Sequence, residues 1–344
     1  MGITRPLACL ALTVVFLGRI DSRGWAQNAN LPSGTRLIMS HFKAAPASGG
    51  DERLYISISS DGVNWTALNS GNPVWQPDGW APFHNVVRDP SIIFENGFYW
   101  VAFTSGNYGR HASFGLLKSS DLLTWTKVGE IDTTISGAID SLTWGPIFFR
   151  DGDGSVHILV AISRTGGAQY NPVPDMRVHE LHPLDAGFTQ WSAPVLLELP
   201  AANTNECWVW KRGAVYHAAY IDFATGGWYH TTSSNLISGW SPATALGFGS
   251  LEGGMMLPRP DGGYRFCLET GNGGSPIGYR YYDYDSALTS PAPAQSFNAS
   301  MPMRNGKMIA APATTQYADW QAEHLADLPI ALQQPGADPD GDGF

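Results

Sequence analysis

The chain has 344 residues, of which 15% are charged and 12% aromatic, with 39 glycines, 13 tryptophans and a formal net charge of −10. An acidic chain without a basic stripe argues against nucleic acid or an anionic membrane as partner, because phosphate binding needs clustered Lys and Arg. The turn-dense, aromatic-rich composition and the lack of a long amphipathic helical stretch point to an all-β protein with a large core.

At the N-terminus, Arg5 precedes an apolar run over 7–18 and small residues near Ala26. This pattern predicts an export signal over residues 1–27, too short in its apolar part to remain as a membrane anchor. The protein is therefore expected to be secreted, extracellular or periplasmic. Residues 28–325 then read as one domain, because one phrase recurs through them: SSDGVNW (59–65), SSDLLTW (119–125) and SSNLISGW (233–240), with a worn copy in HPLDAGFTQW (182–191). The first two copies start 60 residues apart and the third 114 further on, close to two steps of 57. Short β-rich units at this period predict a five-bladed β-propeller with a pocket on its axis. In each copy the Asp or Asn is expected to cap a tight turn while the Trp packs between blades. Cys207 and Cys267 lie in strand-like runs and are expected as two separate buried thiols.

Each unit repeats an apolar run, a Gly-containing hairpin and an aromatic run. RDPSIIFENGFYWVAFTSG (88–106), TWGPIFFRDGDGSVHILVAIS (143–163), NECWVWKRGAVYHAAYID (205–222) and LEGGMMLPRPDGGYRFCLE (251–269) show the pattern. The first strand of each blade would line the channel with one edge unpaired, so Pro90 and Pro146 would remove no ladder bond there. Three carboxylates, Asp89, Glu206 and Glu252, open such inner strands and would converge on the axis. Cleaving a glycosidic bond takes two carboxyl groups, one protonating the leaving oxygen and one activating water or attacking the sugar; a third nearby tunes the donor. Asp89 is expected as the base, while Glu206 and Glu252 both remain candidates for the acid. Trp80 and His84, on the segment leading to Asp89, and Trp144, Arg88 and Arg304, at inner-strand positions, are candidate substrate-binding residues.

At these residues the chain resembles glycoside hydrolase family 43, the five-bladed-propeller arabinofuranosidases and xylosidases. RDPSII is similar to the family's first-blade motif and implies that Asp89 is the general base. SLEGGMMLPRPDGGYRF is similar to the Glu-Gly-Pro segment of the general acid, hence Glu252, and NECWVWKRGAVYH to the segment of the residue that tunes it, hence Glu206. RNGKMIAAP (304–312) resembles the closing Arg-His-Gly strand. The resemblance implies an exo-acting, inverting glycosidase that removes terminal α-L-arabinofuranose or β-D-xylose from poly- or oligosaccharides with no required cofactor; a monomer is expected, although nothing in the blade repeats marks an interface either way. The chain departs from the family pattern at Ile147, Glu206, Gly254 and Asn305, and Asn305 stands where relatives carry a histidine that can help hold a channel ion. A non-catalytic carbohydrate-binding propeller and a sialidase-like propeller hydrolase are the rival readings, the latter because SSDGVNW resembles the Asp-box of sialidases. Residues 326–344 read as a linker ending in half of a calcium loop, with Asp338, Asp340 and Asp342 as ligands to a structural Ca2+.

Overall fold

Apolar runs punctuated by Gly, Asn and Asp become short strands, and the strands fall into five sheets. The computed structural model describes residues 31–312 apart from 33, 44–50, 80–84, 107–110, 137–141, 165–174, 250, 260, 271–277 and 290. The expected export signal, the C-terminal calcium loop with Asp338, Asp340 and Asp342, and the candidate sugar contacts Trp80 and His84 lie outside the described residues. No helix among the described residues is long and apolar enough to cross a membrane.

The first blade begins with β1 (Leu37–Phe42), β2 (Tyr55–Ser59) and β3 (Asn64–Ala67). Blade two holds β4 (Arg88–Glu95), β5 (Phe98–Thr104), β6 (Ser113–Ser119) and β7 (Thr126–Asp132). Blade three holds β8 (Leu142–Arg150), β9 (Val156–Ser163), β10 (Arg177–Leu181) and β11 (Val195–Leu196). In blade four are β12 (Thr204–Arg212), β13 (Val215–Asp222), β14 (Gly227–Ser233) and β15 (Thr244–Ala245). Blade five has β16 (Met255–Pro258), β17 (Tyr264–Glu269), β18 (Tyr279–Tyr284) and β19 (Gln295–Ser296). The chain then returns to blade one, where β20 (Asn298–Ala299) joins β3 in parallel and β21 (Arg304–Ala310) pairs antiparallel with β1. This is an all-β, five-bladed propeller whose ring is closed by strands from both ends of the described chain. The innermost strands are β21, β4, β8, β12 and β16. Pro90 and Pro146 sit on β4 and β8, at sheet edges as expected.

Each blade is buried on both faces, which is why its strands read as unbroken apolar runs. Alternation along β5 sends Tyr99, Val101 and Phe103 into a cluster with Ile38, Leu54 and Ile56 of blade one. The intervening Trp100 and Ala102 join Ile158, Val160 and Ile162 of blade three. A strand's period of two thus lets one sequence serve two interfaces. Further clusters fill the remaining junctions, blade three against four through Leu159, Val178, Cys207 and Tyr220, and blades four and five against one through Trp228, Phe266 and Met308. Cys207 and Cys267 are buried and free.

The repeated phrase is a turn, and each of the five blades has one held by an Asp or Asn side chain. Asp61 Oδ1 accepts the backbone N–H groups of Val63 and Asn64 at 2.8 and 2.7 Å. Asp121, Asp185, Asn235 and Asp285 each accept two backbone N–H groups in their own blades. The Trp indoles of the first, second and worn copies donate back to Gly62, Leu122 and Phe188 carbonyls. The copy at Asp285 has no Trp at its end, so the phrase alone does not reveal it.

Candidate active site

Where the five inner strands begin, each carries one residue in the left-handed region: Asp89 (φ 51°), Gly145 (57°), Glu206 (46°), Gly253 (74°) and Asn305 (39°). The strand register slips at four of these places, between Arg88 and Ser91, Trp144 and Ile147, and Asn205 and Trp208, and opposite Asn305 between Ser40 and Phe42. These are β-bulges, which re-aim side chains and tend to sit beside active sites. A left-handed Asp, Glu or Asn costs backbone energy that a Gly would not, so the fold holds these three side chains at that position against a local preference. Directly before the bulge residues come Arg88, Trp144, Asn205, Glu252 and Arg304. The five-fold architecture therefore sets two rings of side chains around one axis, and the sequence-predicted Asp89, Glu206, Glu252, Arg88, Trp144 and Arg304 all belong to them.

Glu206 is deeply buried, 3% exposed. Its Oε2 accepts the N–H groups of Gly253 and Gly254 at 2.7 and 3.3 Å, and its Oε1 accepts Asn305 Nδ2 at 2.8 Å. Lys307, equally buried, donates to Asn305 Oδ1 at 2.9 Å, so the amide passes a cation's influence to the carboxylate. Burial nevertheless pushes the Glu206 carboxyl up to about 7, opposed by Lys307 and reinforced by Glu252 and Asp89. Glu252 is far more open, with 38% of its side chain exposed and Oε2 at 2.9 Å from Arg304 Nη2.

Asp89 is fixed by a directed relay. The Gly145 N–H donates to Thr104 Oγ1 at 2.9 Å, and the Thr104 hydroxyl donates to Asp89 Oδ2 at 2.9 Å. Asp89 Oδ1 has no hydrogen-bond partner among the described residues. Sequence reasoning passed over Glu52, Asn205 and Glu269. Glu52 is buried 3.4 Å from Arg88 Nε, and its carboxyl is raised by burial and lowered by Arg88. Glu269, buried at the end of β17, accepts the Asn305 N–H and lies 3.8 Å from Arg304 Nε; burial and then Glu252 hold its carboxyl well above the usual range. Neither acid opens an inner strand, which is the criterion that selected the other three. Asn205 is 7% exposed, and its Oδ1 finds no hydrogen-bond partner among the described residues.

The departures from the family pattern have physical reasons here. A Cβ on Gly254 would lie 2.1 Å from the Trp228 ring, and a proline would also forfeit the N–H given to Glu206. Asn305 supplies an amide donor to Glu206 and an acceptor to Lys307, a pair of bonds that a histidine's two nitrogens make only in one tautomer.

Residues 35–248 match the family described as "Probable glycosyl hydrolase domain", the glycosyl hydrolase 43-related family. The chain belongs to that family. This glycosyl hydrolase 43-related chain is 27% identical to a β-D-galactofuranosidase of Aspergillus niger, over 46% of its own length and 60% of that protein's, so it spans about three fifths of that curated relative. Its fold is similar to an exo-β-1,3-galactanase of Phanerochaete chrysosporium, with a TM-score of 0.57 at 16% identity, covering 81% of this chain and 66% of that one. An α-L-arabinofuranosidase of Clostridium thermocellum gives 0.53 at 14% identity, covering 80% and 93%. At such identities the structures speak for the shared fold alone.

Proposed function

We propose that the protein is an exo-acting, inverting glycoside hydrolase that removes terminal furanosyl residues, α-L-arabinofuranose or β-D-galactofuranose, from exported or environmental polysaccharides. The observation that carries this reading is the placement of Asp89, Glu206 and Glu252 at the heads of three inner strands around one axis. The relative from Aspergillus niger adds galactofuranose to the expected arabinofuranose; the two share their ring stereochemistry, and β-D-xylose comes after them.

In this mechanism the Asp89 carboxylate takes a proton from water through Oδ1, while the Thr104 hydroxyl holds Oδ2 in place. That water attacks the anomeric carbon as Glu252, the solvent-facing carboxyl of the pair, gives its proton to the leaving oxygen. Glu206 cannot readily reach a sugar, since both its oxygens are occupied by N–H donors. It tunes Glu252 electrostatically, and this favours Glu252 over Glu206 as the acid.

The test is hydrolysis of aryl α-L-arabinofuranoside, β-D-galactofuranoside and β-D-xyloside, with the anomeric form of the first product followed by NMR. Turnover of a furanoside, with an inverted first product and a loss of about 10²- to 10⁴-fold in Asp89→Asn and Glu252→Gln, is expected. Retained configuration would rule out the single displacement. Polysaccharide binding with no turnover of any substrate would make the protein a sugar-binding propeller.

A further inference from the structure

On blade three, at the end of the sheet away from the axial bulges, His157, Glu180 and His182 form a second cluster of chemically capable side chains. The register explains it. Leu181 of β10 faces Ile158 of β9 and Glu180 faces Leu159, so His157, Glu180 and the following His182 all fall on the side that packs toward blade four. One ligand atom from each lies within 4.8 Å of the others. His157 Nδ1 and His182 Nδ1 stand 2.7 and 2.9 Å from the same oxygen, Glu180 Oε1. The Glu180 side chain is 4% exposed and that of His182 44%, so the cluster has a buried anionic floor and an open side.

The hydrogen bonds around His157 show that a cation is wanted there. Asp153 Oδ1 accepts from the Ser155 hydroxyl at 2.6 Å, which uses that hydroxyl's only proton. Ser155 Oγ must then accept from His157 Nε2, 2.8 Å away, and this places the ring proton on Nε2. The neutral ring would turn the lone pair of Nδ1 onto a carboxylate oxygen at 2.7 Å. Two acceptors at that separation repel unless a positive species relieves them, either a second proton on the ring or a metal ion bound by both atoms, around which they would open to the wider spacing of a tetrahedral shell. We propose that it is a divalent transition metal, with zinc the best match to two imidazoles and one carboxylate, and water completing a tetrahedral shell on the exposed side. Ser155 and Asp153 form the outer shell that fixes the His157 tautomer with Nδ1 free to ligate. The ion clips β9 to the end of β10 at the junction of blades three and four. It takes no part in the chemistry of the axial pocket.

The test is calorimetric titration of the untagged full chain, stripped with EDTA, with ZnCl2, followed by thermal unfolding with and without the metal. One zinc per chain is expected, with a higher melting temperature in its presence. His182→Ala, at a half-exposed position, should keep the metal-free melting temperature and lose the zinc-dependent rise. Ser155→Ala should weaken binding by about ten- to hundredfold. His230→Ala, in the separate His217–His230 pair (Nδ1 to Nε2, 3.0 Å), should bind as the parent does. No uptake by the parent, or equal uptake by His182→Ala and Glu180→Gln, would overturn the proposal.

Discussion

Glu206 shows how one residue can link stability to the site's electrostatics. Its carboxyl titrates near 7 in the folded protein against 4.5 ordinarily, so the native state binds its proton more tightly than the unfolded chain. The sign follows: the stabilisation is complete below about pH 4.5 and is lost as the pH rises through 7. A shift of this size corresponds to about 3 kcal/mol. Urea unfolding between pH 4 and 8 should show stability falling across that window, and Glu206→Gln should flatten the fall; an unchanged slope in the variant would count against the assignment. Asp89, Glu206 and Glu252 were legible in the sequence as acids heading inner strands. Glu52, Glu269 and Lys307 were not, because Glu269 and Lys307 reach the axis from the far end of β17 and the interior of β21, and Glu52 from the chain before β2. Their neighbours in space are remote in sequence.

At the level of the strand, the bulge ring separates glycines that could be exchanged from one that could not. Gly145 and Gly253 occupy equivalent positions with positive φ, yet a Cβ on Gly145 would find its nearest neighbour at 3.6 Å, whereas on Gly253 it would lie 2.4 Å from Tyr279 Oη and 2.9 Å from Glu269 Cγ. Gly145→Ala should therefore cost only the left-handed backbone penalty, roughly 1 kcal/mol, which Asp89 and Glu206 already bear. Gly253→Ala should cost on the order of 2 kcal/mol or more by overpacking, and should reduce turnover by shifting the N–H that holds Glu206. Thermal melts and kcat for the two variants check this, and a larger loss in Gly145→Ala would contradict the equivalence. The bulges themselves could not be read from sequence, since Asp, Glu, Asn and Gly at strand heads look like ordinary turn residues. The capped turns could be read in four blades because a Trp marks each; Asp285 also accepts two backbone N–H groups in the fifth blade, without that mark.

The whole ring depends on its closure. The 60- and 114-residue steps between the three clear phrases pointed to five units, and RNGKMIAAP was recognisable by resemblance as the closing strand. The parallel pairing of β20 with β3 had no sequence signal, because two-residue pairings are set by where the ring leaves a free edge. β21 is both the innermost strand of blade one and the carrier of Arg304, Asn305 and Lys307, so closure and site assembly are one event. A chain ended at Met303 would leave β1 with an unpaired edge at the axis, Glu252 without its arginine, and Glu206 without Asn305. Such a chain should unfold at a markedly lower temperature and lose turnover. Because the missing piece is a single strand with a ready ladder partner, a synthetic peptide of residues 304–312 should add back by edge pairing and restore part of both properties. Recovery should depend on the side chains at the axis: a peptide carrying Asn305→Ala would restore melting temperature more than turnover. Wild-type stability and activity in the truncated chain would show instead that blade one and the pocket hold together without the closing strand.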